Sequence, residues 1–102
     1  MLLSVPVWVL RELLELARYA GAHNITLSGG HDSYDGTYRF TAELGFNISE
    51  SEAPVLLQLL RAMRVERTVD NMKLTIVPES LQIYETGSAR ISLTIRLERC
   101  GK

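Results

Sequence analysis

The stretch Tyr38-Arg39-Phe40-Thr41-Ala42-Glu43-Leu44-Gly45-Phe46-Asn47-Ile48 decides the fold. Apolar and polar residues alternate through it without a break. Tyr38, Phe40, Ala42, Leu44, Phe46 and Ile48 fall on one face, and Arg39, Thr41, Glu43, Gly45 and Asn47 on the other. Side chains of an extended chain point to opposite faces in turn, so a period of two sustained this long marks a strand with one buried side. The pattern returns over 89–99, where Ala89, Ile91, Leu93, Ile95 and Leu97 form the apolar set. Strands wetted on one face belong to an antiparallel sheet covered on the other.

The cover comes from two segments of helical period. In the first, about 5–20, Val9, Leu10, Leu13, Leu14, Leu16, Ala17 and Ala20 make one apolar arc, and Arg11, Glu12, Glu15 and Arg18 lie opposite. Ser4 suits the N-cap, Pro6 the first turn, where its missing N–H is not needed, and Gly21 the C-cap. In the second, Pro54 keeps all its intrahelical partners if Ser51 is the cap, so the helix is expected to begin near Glu52 and to end between Arg64 and Arg67. Val55, Leu56, Leu59, Leu60 and Met63 line its core side.

Around these lie shorter strands. Ile25–Ser28 reads as one, followed by a polar loop over 29–36. Met72–Val77 and Leu81–Glu85 read as two more, separated by Pro78-Glu79-Ser80, and Thr86-Gly87-Ser88 turns the chain into the last long strand. Val65–Val69 fits either a frayed helix end or a strand that meets Met72 through an Asp70-Asn71 turn. The fold class is therefore α+β: a two-layer sandwich with an antiparallel sheet of about five strands and two helices on one face, in the order α-β-β-α-β-β-β. The 102 residues suit one domain spanning 1–102, because two cores in a chain this short would each be too small to offset chain entropy.

Charge sets limits on partners. Eleven basic and twelve acidic side chains leave a formal charge of −1, so no global field draws the molecule to nucleic acid or an acidic membrane. A lone Cys100 excludes an intrachain disulfide and a cysteine zinc site, and points to a reducing, cytoplasmic setting. Met1–Leu10 is apolar but has neither a basic leader nor a small-residue cleavage site, and is too short to span a bilayer.

Residues with chemistry to offer are few. His23, His31, Asp32 and Asp35 sit near the ends of the first short strand, but their spacing fits no catalytic or metal-site pattern, and serines occupy no nucleophile elbow. No catalytic residue, metal ligand or cofactor is assigned. Gly29-Gly30 leads into another strand rather than a helix, so it makes no phosphate cradle.

Surfaces are more promising. Trp8 and Tyr19 project from the charged side of the first helix, where large aromatic side chains suit a protein contact. Tyr34 stands amid the polar 29–36 loop, and Arg61 and Arg64, with Arg67, follow one another at the end of the second helix. On the open sheet face Arg39, Lys73, Arg90 and Arg96 stand against Glu43 and Glu98, for a local charge of +2, with Tyr84 as the one aromatic. The leading expectation is a non-catalytic protein–protein interaction module. It would self-associate, most simply as a homodimer, or serve as a small subunit of a larger assembly, using Trp8, Tyr19, Tyr34, Arg61 and Arg64. The alternative is a nucleic-acid-associated protein acting through Arg39, Lys73, Tyr84, Arg90 and Arg96. A small enzyme or metal-binding protein using the 29–36 loop is a third.

Overall fold

The computed structural model describes residues 5–32, 37–48 and 50–100. The elements are α1 (Val7–Ala20), β1 (Asn24–Asp32), β2 (Thr37–Asn47), a 3-10 turn (Glu50–Glu52), α2 (Ala53–Ala62), β3 (Val65–Val69), β4 (Met72–Tyr84) and β5 (Ser88–Arg99). All neighbouring strands pair antiparallel, in the spatial order β1-β2-β5-β4-β3. The α+β architecture and the order α-β-β-α-β-β-β are as expected.

The two long alternating strands lie side by side at the centre. Tyr38 faces Leu97, Phe40 faces Ile95, Ala42 faces Leu93 and Leu44 faces Ile91. These apolar pairs form the floor of one core, roofed by Val9, Leu13 and Ala17 of α1 and by Leu56 and Met63 around α2. A Leu, Ile or Val side chain taken fully from water contributes about 1.5–3 kcal/mol, which is why the helices stay on this face.

Several boundaries differ from the sequence reading. Helix α1 starts at Val7 with Pro6 as N-cap, whose carbonyl accepts from Val9 and Leu10 at 3.1 and 3.4 Å; Ser4 lies outside the described residues. Its C-cap is Gly21, as the sequence suggested: Gly21 has φ 80° and the Ala22 N–H reaches back to the Ala17 carbonyl at 3.0 Å. Helix α2 stops at Ala62, and Met63, at the C-cap, is fully buried. The chain then turns at once into β3, so 65–69 is a strand.

Strand β1 is longer than expected. It continues through Gly29-Gly30 to Asp32, and a register shift between Ser28 and His31 absorbs the extra chain with Gly29 at φ 69°. Much of the supposed 29–36 loop is thus the second half of a strand. The two short strands expected on either side of Pro78 are one, β4, with a register shift between Pro78 and Ser80. Strand β3 pairs with β4 only as far as Ile76. Beyond that point β4 is an edge, where a proline with no N–H to donate breaks no ladder.

Candidate functional site

Two apolar side chains expected in the core lie outside it. Leu14 is 55% and Val55 59% exposed, and Val7, just inside the start of α1, is 69% exposed. At 3.6 residues per turn Leu10, Leu14 and Val7 lie about 100°, 140° and 160° round the axis from Val9. The apolar arc of α1 is therefore wider than the strip that the sheet covers. Its uncovered side faces the border of the molecule at β1, where Leu14, Ala17 and Arg18 share a shallow groove with His23, Asn24 and Ile25. An arc spanning nearly half the helix was the available signal in the sequence.

The two aromatic residues of α1 part company. Trp8 is half-buried and packs against the core, and Tyr19 stands 73% exposed. Nor do the three arginines at and beyond the end of α2 act together. Arg61 and Arg64 are exposed and border a shallow groove with Leu60 and Pro78. Arg67, on β3, turns to the helix side of the sheet, and its guanidinium reaches the Glu12 carboxylate of α1 at 2.8 Å. Tyr34 lies outside the described residues, as do Asp35 and the side chains of His31 and Asp32. Among the described residues, no three His, Cys, Asp or Glu side chains converge as metal ligands would.

The open sheet face carries the residues expected of it. The strand register adds Glu66, directly across from Thr75, so four basic groups meet three acidic ones and the face is less positive than the sequence suggested. Arg90 lies 3.7 Å from Glu43, and Arg96 lies 3.0 Å from Glu98. Arg39 sits directly opposite Arg96, a like-charge pairing that a sheet tolerates only at an exposed site. Tyr84 donates to Gln82 at 2.7 Å, and so folds along its own strand.

The sheet ends differ in kind. On β3, Glu66 is exposed and Arg67 points inward to Glu12. The free half of β4 carries Pro78, the bulge and an exposed Glu79. Charges, prolines and bulges are what keep an edge strand from pairing with another chain. Strand β1 has no formal charge from Asn24 to Gly30, and its first five residues pair with β2 in regular register. No protein family, curated protein or solved structure matches the chain.

Proposed function

We propose that the chain is a non-catalytic protein–protein interaction module, self-associating or a small subunit of a larger assembly. The observation that carries this reading is the set Val7, Leu14, Tyr19 and Val55, four large apolar or aromatic side chains on helix surfaces, each more than half exposed. Apolar surface that a fold leaves on the outer side of its helices is energy available to a partner, at about 25 cal/mol per Å² covered. Arg61 and Arg64 supply charge beside a separate shallow groove with Leu60 and Pro78. Trp8 supports the module from beneath, holding α1 to the sheet. A reducing compartment, the cytoplasm, suits the lone Cys100; among the described residues no helix is long and apolar enough to cross a membrane.

The test is a tagged chain exposed to source-cell lysate, with and without nuclease, washed at high salt, beside a mass measurement of the pure protein over a range of concentrations. Retention of a protein partner, or a mass above the monomer, is the expected result. A pure monomer that retains nothing overturns the reading.

One observation favours the nucleic-acid alternative: the opposed Arg39 and Arg96, with Lys73 one row away, would be relieved of mutual repulsion by a bound phosphate. Retention lost on nuclease treatment, and lost steeply as salt rises, would promote it over the first.

A further inference from the structure

We propose that two copies of this chain join through their β1 edges, antiparallel across a two-fold axis normal to the sheet, into one continuous ten-stranded sheet. This rests on the interaction-module reading and names its partner as a second copy of the same chain. The two borders of the sheet contrast. Along β3 and the free half of β4, several devices that block strand addition are present: an arginine on the helix side, exposed glutamates, a proline and a bulge. Along Asn24-Ile25-Thr26-Leu27-Ser28 there is none, the bulge of β1 lying beyond this stretch between Ser28 and His31, and the absence of charge lets the segment meet its own copy without repulsion.

The register that centres this regular stretch on itself places Thr26 opposite Thr26, Ile25 opposite Leu27 and Asn24 opposite Ser28. Thr–Thr and aliphatic cross-strand pairs are favourable, by about 0.2–1 kcal/mol each relative to alanine. Thr26 is exposed, and Ile25 and Leu27 are half-buried beneath α1. Antiparallel pairing of identical edges requires the two-fold to stand normal to the sheet, so both copies keep their helices on the same side. The uncovered side of α1 then faces its symmetry mate across the joint. Leu14 lies two turns from the C-cap, about 10 Å, and Thr26 lies about 7 Å into β1, so both stand near the same level. A lone peptide strand added to β1 would satisfy the edge but leave Leu14 and Val7 in water. A second copy brings an equal apolar helix side to meet them.

The experiment is sedimentation equilibrium on the intact chain, with Thr26→Lys, Leu14→Glu and Val55→Glu beside wild type. All three replace exposed residues, and far-UV circular dichroism checks that each is folded. Wild type and Val55→Glu are expected to be dimers of equal affinity. Thr26→Lys sets two cations against each other on the axis, and Leu14→Glu removes apolar contact, so each is expected to weaken the dimer by about tenfold or more. High salt is expected to restore part of the loss for Thr26→Lys. A wild-type monomer overturns the proposal, and if that monomer still captures a partner from lysate the module reading stands without it. A dimer unmoved by both Thr26→Lys and Leu14→Glu overturns this face while leaving self-association in place.

Discussion

The Tyr38 hydroxyl is enclosed in the core with no hydrogen-bond partner among the described residues, beside Phe40 at a ring separation of 5.8 Å. A buried hydroxyl that has lost its water and found nothing in exchange costs about 1–3 kcal/mol. Tyr38→Phe deletes that oxygen and keeps the ring, so the variant is expected to gain about 1 kcal/mol in urea unfolding with an unchanged slope. An equal or larger loss would mean that the hydroxyl is bonded after all. Residue by residue, the sequence was legible where burial follows the alternation: every apolar residue named from the pattern within β2 and β5 is buried, and Ile48, just past the end of β2, is half-buried. It was not legible at Leu14 and Val55, because hydropathy tells which side of a helix is apolar and not how far a sheet of finite width reaches beneath it. Tyr34 stays a sequence-level candidate, and Trp8, expected to project from the helix, is half-buried against the core.

Among the elements, the β3–β4 hairpin turns on two residues, Asp70 at φ 50° and Asn71 at φ 66°. Both positive angles identify a type I′ turn, whose twist matches that of the strands it joins and whose second position favours glycine. Asn71 also offers its carbonyl to the Cys100 N–H at 2.7 Å, tying the end of β5 to the turn, and this bond needs no side chain. Asn71→Gly should therefore keep or slightly raise the melting temperature. Asn71→Val, forced into a left-handed conformation, should lose about 1–2 kcal/mol. Equal melting of the two variants would show that the turn relaxes to another type. The Asp70-Asn71 pair was readable in the sequence as a turn, but the strand before it was not, because Val65-Glu66-Arg67-Thr68-Val69 has the period of neither a clean strand nor a helix. Its middle residue Arg67 occupies an inward position that patterning reserves for an apolar side chain, and only the tertiary partner Glu12 explains it. Glycine misled in the opposite sense at Gly29-Gly30, where composition reads as loop and pairing with β2 carries the strand across a bulge.

For the whole molecule, the consequence of Arg67 lies in where the sheet can grow. The Arg67–Glu12 pair is part-exposed, with the guanidinium side chain 56% accessible, and a pair of that kind adds no more than about 1 kcal/mol to stability. Its larger effect is on association: a charge on the helix side of an edge strand must be buried or stripped of its partner before another strand can dock there. Replacing both partners, as in Arg67→Val with Glu12→Gln, removes the charge without leaving a lone carboxylate behind. The double variant is expected to melt within about 1 kcal/mol of wild type, yet to scatter light increasingly with concentration well below its melting temperature. Adding Thr26→Lys should cut that scattering back, because a β3–β3 joint alone closes at a pair and only the β1 joint links such pairs into a longer sheet. If the double variant stays as clear as wild type, the bulge and Pro78 on the neighbouring half of β4 are guard enough for that side of the sheet. If Thr26→Lys leaves the scattering as strong, the opened molecules do not grow through alternate β1 and β3 joints, and the division between a closed border at β3 and an open one at β1 fails.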